Sequence, residues 1–276
     1  MSLRGALAIF SLAFCVGVVL RDLHTVPCVA CTKPTVVVRP MARVTRDTPP
    51  PASSTTDWID ALVLHGRDAS TPVNFVQIGA NDGAMHDPLH PLIASQMDRM
   101  WRGVLVEPTP WAMARLRRTY AALRGAFTFV EAAVATACDN GTVDLYEARP
   151  ANMTAYMTSE PHWTTGISTL GVPPGRRASD YTRTRVPCVT MAELAAWHMR
   201  GLERVDLLLV DTEGFDWPLV SQWVAWPAQQ RPAAVVWEAW QATKEQMNKA
   251  LDAVLFFTHR GFNVSKTGER DLVAWL

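Results

Sequence analysis

The chain has 276 residues, with 26 Lys plus Arg and 26 Asp plus Glu, so its formal net charge is zero. Nucleic-acid binding requires a basic face, and this balance of charges gives no sign of one, so we expect no nucleic-acid partner. Hydrophobic residues make up 49% of the chain, which is enough to fill one good-sized core.

The N-terminus carries an apolar segment over residues 5–20, preceded by Arg4. Its length is near the lower limit for a membrane span, and it also fits the core of a cleaved signal peptide. We predict an uncleaved signal anchor over residues 1–23 with its N-terminus in the cytosol. The expected protein is a single-pass type II membrane protein with a lumenal domain in the Golgi or endoplasmic reticulum, or a secreted protein if the segment is removed.

A proline-rich stem is predicted over residues 24–56, because this stretch offers little to bury. The folded domain then covers residues 57–276. Sequons for N-glycosylation at Asn140, Asn152 and Asn263 agree with a lumenal domain. An oxidising lumen would permit a disulfide between Cys138 and Cys188, and two buried thiols are the equally weighted alternative.

Strands alternate with helices along the domain, which predicts a parallel α/β sheet with right-handed crossovers and an antiparallel hairpin at its end. Residues 153–185 show no periodicity and are expected to form a long loop. The predicted strands cover residues 73–78, 103–106, 127–134, 142–146, 205–210, 233–237, 262–265 and 272–276. The predicted helices cover residues 58–64, 91–100, 111–123, 190–199 and 246–259.

The first strand ends in a turn containing Gly79, Asp82 and Gly83, and the second strand ends at Glu107. Glycines let such a turn approach a ligand closely, and an acid after the second strand can accept from both hydroxyls of a ribose. A dinucleotide site would carry a third glycine, and the Asp82 carboxylate would repel a pyrophosphate. The pattern therefore favours a nucleoside cofactor with a cationic or zwitterionic end, such as S-adenosylmethionine, over an ordinary tight turn.

Carboxylates follow two later strands, where an open α/β sheet binds its ligands. Asp211 and Glu213 are two residues apart, so on an extended strand they face the same side, and Glu238 follows the next strand. One of them is a candidate base for the hydroxyl of a bound substrate, with its pKa raised by its neighbour. The alternatives are a divalent metal site and a helix cap. No histidine is near in sequence, so we expect a metal-free base; His162 in the long loop is a further candidate.

The chain resembles the FkbM-type S-adenosylmethionine-dependent methyltransferases in four segments that occur in order, residues 78–83, 103–108, 209–216 and 235–238. The resemblance implies an α/β, Rossmann-like class I methyltransferase fold, with a seven-stranded, mostly parallel sheet and an antiparallel C-terminal hairpin. It also implies O-methylation of a glycan or another small hydroxylated acceptor. The implied cofactor contacts are Gln77, Gly79, Asn81, Asp82, Gly83, Glu107, Pro108, Glu131, Ala132 and Asp211.

The sequence departs from the family pattern at two of these contacts. Gln77 stands where many methyltransferases carry an acid, and its amide can still hydrogen-bond a cofactor. At the end of the third strand, Glu131 and Ala132 replace the usual pattern for adenine binding.

Two other functions remain open. One is a nicotinamide-dependent oxidoreductase, against which the missing third glycine argues. The other is an inactive, membrane-anchored binding module, because a fold does not fix an activity. If the acceptor is a sugar, Trp163, Trp217 and Trp240 are candidates to stack on its ring.

Overall fold

The computed structural model describes residues 54–84, 87–148, 168–172, 176–239, 244–267 and 271–276. The predicted anchor, the predicted stem up to residue 53, His162, Trp163, Trp240 and the Asn152 sequon lie outside these residues. The last residues of the predicted stem belong to the folded domain, because Ser54 caps the first helix, Thr55–Ile59. Within the described part of the chain, no helix combines the length and the apolar character needed to cross a membrane.

The described strands and helices follow one another in an alternating α/β pattern. The strands are β1 (Val73–Ile78), β2 (Trp101–Val106), β3 (Gly125–Val130), β4 (Ala133–Ala135), β5 (Thr142–Ala148), β6 (Ser168–Thr169), β7 (Tyr181–Thr190), β8 (Leu207–Val210), β9 (Ala234–Glu238), β10 (Asn263–Thr267) and β11 (Asp271–Trp275). The α-helices are α1 (Thr55–Ile59), α2 (Leu89–Ser95), α3 (Pro110–Tyr120), α4 (Met191–Glu193), α5 (Asp216–Val220) and α6 (Lys244–Thr258). Wider π-helical turns, Asp60–Leu64 and Leu194–His198, continue α1 and α4.

Seven strands form the main sheet in the order β10-β11-β9-β8-β1-β2-β3. The strands from β9 to β3 pair in parallel, and β11 pairs antiparallel with both β9 and β10. This confirms the predicted fold class, a seven-stranded, mostly parallel sheet that ends in an antiparallel hairpin. The order reverses direction at β1, which lies between β2 and β8, and such a reversal leaves a crevice at the carboxyl ends of the strands.

Helices cover both faces of the main sheet, because the central strands carry mostly apolar side chains on each face. All six residues of β1 are buried, as expected for a strand inside a parallel sheet. Val76 and its same-face neighbours pack with Leu219 of α5 and Phe257 of α6. Phe75 belongs to the opposite core, which includes residues of α1, α2 and α3. The alternation of side chains along each strand thus builds two cores from one sheet.

A second, four-stranded sheet was not predicted from the sequence; its order is β4-β7-β5-β6. The prediction of one strand over residues 127–134 is wrong, because β3 ends at Val130 and β4 pairs with β7 instead. Residues 181–185 belong to β7 rather than to a loop. Their side chains after Tyr181 are exposed, so this part of β7 lacks the apolar alternation that identifies a strand.

The structure joins Cys138 and Cys188 in a disulfide, with 5.7 Å between their Cα atoms. The bridge links the chain after β4 to β7, so it fastens two parts of the second sheet. The sequence left open a disulfide or two buried thiols, and the structure shows the disulfide.

Candidate functional site

A cavity of about 560 Å³ opens at the carboxyl ends of β1, β2, β8 and β9. This is the point at which the strand order reverses, where open α/β sheets bind their ligands. Its volume lies within the range of about 300–1,000 Å³ that is usual for small-molecule and cofactor sites. Leu145 and residues 168–170 of the second sheet form part of its wall.

The cavity brings together most of the predicted site residues. Its wall includes Gln77, Gly79, Asn81, Glu107, Pro108, Ala132, Asp211, Glu213 and Glu238. Asp82, Gly83 and Glu131 are not among the lining residues. His162 lies outside the described residues.

Gly79 lines the cavity, and the contact between the ends of β1 and β8 also requires a glycine there, for a reason that the sequence did not predict. Its φ is 82°, and a Cβ atom there would lie 1.7 Å from the carbonyl oxygen of Asp211. The Asp211 N–H donates to the carbonyl oxygen of Ile78 at 2.9 Å, so the ends of β1 and β8 are held tightly together. A Cβ atom at Gly83 would lie 2.6 Å from Leu116 Cδ1 of α3. Both glycines therefore allow the protein to pack against itself.

Asp82 faces α3 and not the cavity. Its Oδ1 accepts from the Ala84 N–H at 3.0 Å, and its carboxylate lies 3.9 Å from the Arg115 guanidinium. The prediction that this carboxylate would repel a pyrophosphate in the site does not hold, because other carboxylates line the cavity in its place.

Glu107 presents a buried carboxylate that the backbone fixes in position. Only 4% of the residue is exposed, and its two oxygens accept from the Thr109 N–H at 2.8 Å and the Asn81 N–H at 3.0 Å. Burial raises the pKa of Glu107, and these hydrogen bonds act in the opposite direction. Each carboxylate oxygen has a further lone pair, so Glu107 can still accept from two hydroxyl groups of a ligand.

Asp87 is a site residue that sequence analysis missed. Its Oδ1 accepts from the N–H groups of Leu89 at 2.8 Å and His90 at 3.3 Å, and its Oδ2 accepts from the Tyr120 hydroxyl at 3.0 Å. Burial raises the pKa of Asp87. An aspartate followed by proline before an apolar run is a helix-start signal, but the predicted helix began at residue 91 and left Asp87 outside it.

Gln77 supplies a buried acceptor with no partner. Its Nε2 donates to Asp87 Oδ1 at 3.4 Å. Because a carboxylate only accepts, this contact fixes the orientation of the amide. The Gln77 Oε1 atom is then buried without a hydrogen-bond partner, in a residue that is 2% exposed and lines the cavity. Such an atom fits a ligand that donates an N–H, for example an ammonium group.

Three carboxylates, Asp211, Glu238 and Asp271, form what we call the carboxylate row. Val210 of β8 pairs with Trp237 of β9, so the next residues along, Asp211 and Glu238, lie side by side. Glu238 pairs in turn with Asp271 of β11, and all three residues line the cavity. The pKa of Asp211 is raised well above its usual value. The largest cause is desolvation of its carboxyl group by the surrounding protein, followed by the charges of four other carboxylates, Glu213, Asp216, Glu238 and Asp271. Asp271 was not predicted.

The loop after β8 is organised by Asp216. Its Oδ1 accepts from the Thr212 N–H at 3.0 Å, and its Oδ2 accepts from the Gly214 N–H at 3.1 Å. Burial raises the pKa of Asp216 to about 7. Glu213 has a φ of 53°, so the expectation that Asp211 and Glu213 share one side of an extended strand is wrong. Both residues line the cavity because the chain turns between them.

Two further predictions concern metal binding and aromatic stacking. Among the residues that the structure describes, no three or more His, Cys, Asp or Glu side chains are grouped so as to hold a metal ion. Trp217 is not among the residues lining the cavity, and its ring packs against Phe256 at 5.5 Å between centroids.

Comparison with known proteins identifies one family and several distant structures. The family model described as "Methyltransferase FkbM domain" matches residues 77–264. No curated protein sequence gives a significant match. The N-terminal domain of human METTL16 has a TM-score of 0.41 at 12% identity, covering 79% of this chain and 67% of that one. Precorrin 8w decarboxylase of Methanobacterium thermoautotrophicum has a TM-score of 0.36 at 9% identity, with coverages of 80% and 88%.

The CMeT domain of the citrinin polyketide synthase is a third similar structure. Its TM-score is 0.40 at 9% identity, covering 80% of this chain and 50% of that one. The TM-scores and identities are low, and no functional inference rests on these structures.

Proposed function

The chain belongs to the FkbM methyltransferase family, and we propose that it transfers a methyl group from S-adenosylmethionine to a hydroxyl of a glycan or another small acceptor. The observation that carries this proposal is the cavity at the reversal of the sheet, which is lined by both Glu107 and Gln77. Glu107 would hold the ribose diol through its two oxygens. The partnerless Gln77 Oε1 would accept from the ammonium group at the amino-acid end of the cofactor.

The charge of the cavity favours this cofactor over a nicotinamide dinucleotide. Six of the lining residues are carboxylates, namely Asp87, Glu107, Asp211, Glu213, Glu238 and Asp271. No lysine or arginine is among the described residues of its wall. A pyrophosphate would meet repulsion there, whereas a ligand with sulfonium and ammonium charges would be attracted.

Asp211 is the residue best placed to receive the proton of the acceptor hydroxyl. When bound, S-adenosylmethionine supplies an electrophilic methyl group, whose bond to sulfur breaks as its bond to the acceptor oxygen forms. Asp211 lies at the end of the ladder between β1 and β8 and lines the cavity. Desolvation by the surrounding protein, followed by the charges of nearby carboxylates such as Glu213, raises its pKa. A raised pKa suits a carboxylate that must take a proton from a hydroxyl near neutral pH.

Calorimetry with Glu107→Ala tests the proposed cofactor. The loss of hydrogen bonds to a charged acceptor should weaken S-adenosylmethionine binding by about 1.5–3 kcal/mol. The matched control is Glu131→Ala, because Glu131 is exposed and does not line the cavity. Equal affinity in folded Glu107→Ala and wild-type protein, or tighter binding of a nicotinamide dinucleotide than of S-adenosylmethionine, would refute the assignment.

We also propose that the domain faces the lumen of the secretory pathway, behind the predicted N-terminal anchor. The Cys138–Cys188 disulfide supports this proposal, since disulfides persist in oxidising compartments. Asn140 and Asn263 are exposed and accessible to glycosylation. Protease treatment of intact microsomes should leave the domain uncut until detergent is added. Complete digestion without detergent would contradict a lumenal position.

A further inference from the structure

One edge of the main sheet lacks the features that usually keep a sheet edge from pairing. Within the described part of the chain, β3 pairs with β2 on one side only, in an unbroken register. Edge strands are commonly protected by lysine or other charged side chains, by proline or by a bulge. Strand β3 contains none of these, and its residues Gly125, Ala126 and Thr128 are exposed. At the opposite edge of the same sheet, β10 carries the exposed Lys266.

The free side of β3 presents the backbone groups of alternate residues. The Glu107 N–H donates to the carbonyl oxygen of Val130 at 3.1 Å, so the backbone groups of Val130 point toward β2. This direction alternates along a strand, so the N–H and C=O groups of Gly125, Phe127 and Phe129 point to the free side. Outside the β2–β3 ladder, no hydrogen bond between described residues involves them. This side of β3 is therefore a template for another strand.

These outward residues match a second copy of the same strand. When two identical antiparallel strands are related by a two-fold axis, the central residue of each lies opposite itself. With Phe127 opposite Phe127, Gly125 of each copy lies opposite Phe129 of the other, and all three outward residues take hydrogen-bonded positions. A glycine opposite an aromatic residue leaves room for the ring, and this combination stabilises strand pairing at sheet edges.

The residues that flank β3 carry complementary charges. Arg124 precedes the strand, Glu131 follows it, and both are exposed. Neither forms a salt bridge with a described residue. In the same register, Glu131 of one copy lies opposite Leu123 of the other and therefore next to Arg124. Opposite charges thus meet at both ends of the pair, which favours this pairing.

We propose that β3 pairs antiparallel with β3 of a second copy of this chain, which joins the two main sheets into one continuous sheet about a two-fold axis at Phe127. Such a contact uses the same surface on both copies and therefore closes at the dimer. Because the paired strands run antiparallel, the carboxyl edges of the two sheets point in opposite directions. No residue of β3 lines the cavity, so cofactor binding should not depend on the dimer.

Two exposed side chains allow this register to be tested by charge. Ala126 of each copy lies opposite Thr128 of the other, at positions without hydrogen bonds, where side chains lie closest together. Ala126→Lys combined with Thr128→Lys, the double-lysine variant, places like charges opposite each other at both positions. Ala126→Glu combined with Thr128→Lys, the glutamate–lysine variant, places opposite charges there instead.

Sedimentation velocity of the full-length chain in a non-ionic detergent, over a dilution series, measures the monomer–dimer equilibrium. We expect the wild-type chain to form a dimer, and the double-lysine variant to have a dissociation constant raised roughly tenfold or more. The glutamate–lysine variant should recover the dimer. Ala228→Lys combined with Gln229→Lys is the matched control, because it adds two positive charges at exposed residues before β9 and should leave the dimer unchanged.

The same series contains the results that would overturn the proposal. One is a wild-type chain that stays monomeric at every concentration. Another is a dimer that the double-lysine variant leaves intact, as a dimer held by the predicted anchor would be. Equal weakening by the double-lysine and glutamate–lysine variants would contradict the register. Calorimetry with S-adenosylmethionine should give the same affinity for every variant, so a failed cofactor assignment would be seen separately from a failed dimer.

Hydrogen exchange on the wild-type chain tests the pairing without any substitution. The Phe127 and Phe129 N–H groups should exchange slowly in concentrated solution and rapidly after dilution, because only the second copy protects them. Exchange of the β2 amides, inside the sheet, should change much less. Exchange at Phe127 and Phe129 that does not depend on concentration would also overturn the proposal, whether these groups are always open to solvent or always covered by their own chain.

Discussion

Gly79 holds the turn after β1 with a φ of 82°, against the carbonyl group of Asp211. Gly79→Ala would place a Cβ atom 1.7 Å from that oxygen, so the ends of β1 and β8 must separate. We expect this variant to lose more than about 3 kcal/mol of unfolding free energy, beyond the usual cost of a positive φ. Urea unfolding measures the loss.

Gly66→Ala is the control for Gly79→Ala. Gly66 has a φ of 70°, but a Cβ atom there would have nothing within 4 Å. It should lose only about 1–2 kcal/mol, the cost of the left-handed backbone conformation. Equal losses in the two variants would mean that the contact with Asp211 is unimportant.

At the scale of single residues, the catalytic prediction concerns Asp211. Asp211→Asn should lower kcat about 10²–10⁴-fold, the usual contribution of a general base. The affinity for S-adenosylmethionine should change little, because Glu107 and Gln77 hold other parts of that ligand. Methyl transfer measured with and without chelator also distinguishes a base from a metal ligand. Near-full, chelator-insensitive turnover by both Asp211→Asn and Glu213→Gln would remove the pair from the mechanism.

The site residues that the sequence predicted are those whose position follows from a single strand. Glu107 and Asp211 each come directly after an apolar strand, and parallel strands bring their carboxyl ends together. Asp271 stands at the start of β11 and reaches the same edge only because β11 runs antiparallel to β9. No local pattern marks such a residue, since its position depends on how distant strands pair.

At the scale of elements, the loop after β8 makes stability depend on pH. The pKa of Asp216 in the folded protein is raised to about 7 by burial, above its ordinary value. A raised pKa means that the folded state binds the proton more tightly, so this stabilisation is full below about pH 4 and is lost as pH rises through about 7. We therefore expect the unfolding free energy to fall between about pH 5 and about pH 8.

Asp216→Asn tests this dependence, since an amide does not titrate. The variant should show a shallower fall in unfolding free energy over the same pH range, measured by urea unfolding. Some slope should remain, because burial also raises the pKa of Asp206, to about 6, and those of Asp87 and Glu107. An identical slope in wild-type and variant proteins would show that Asp216 does not titrate in this range.

A second prediction at the scale of secondary-structure elements concerns the Cys138–Cys188 disulfide. Cys138 and Cys188 are 50 residues apart, so the bond restricts a large loop of the unfolded chain. Replacing both cysteines by serine should lower the unfolding free energy by about 2–4 kcal/mol. Reductant should destabilise the wild-type protein and leave the double variant unaffected. An equal effect of reductant on both proteins would contradict a stabilising bond.

The elements also show where sequence patterns succeed and fail. The boundaries of β1, Val73–Ile78, agree with the prediction because a buried strand is mostly apolar between turn residues, and only Asn74 and Gln77 interrupt this one. Strand β7 was divided between a predicted loop and a gap, because its exposed Thr and Arg residues resemble a loop. The second sheet is held by pairing among distant strands, which a local pattern does not contain.

At the scale of the whole molecule, one feature of the main sheet positions the site. Strand order reverses at β1, and the second sheet adds Leu145 and Thr169 to the wall of the resulting cavity. The alternation of strands and helices predicted the main sheet and the edge at which ligands bind. It did not predict the second sheet, and therefore did not predict the part of the cavity wall that this sheet forms.

The central claim is that this cavity binds S-adenosylmethionine and passes its methyl group to a hydroxyl. The most direct measurement is transfer of labelled methyl from S-adenosylmethionine, by the full-length chain, into a glycan extract, with Asp211→Asn as the matched control. We expect label in the glycan fraction as a methyl ether with the wild-type chain, and about 10²–10⁴-fold slower labelling with the variant. A folded wild-type chain that binds no S-adenosylmethionine and transfers no label would contradict it.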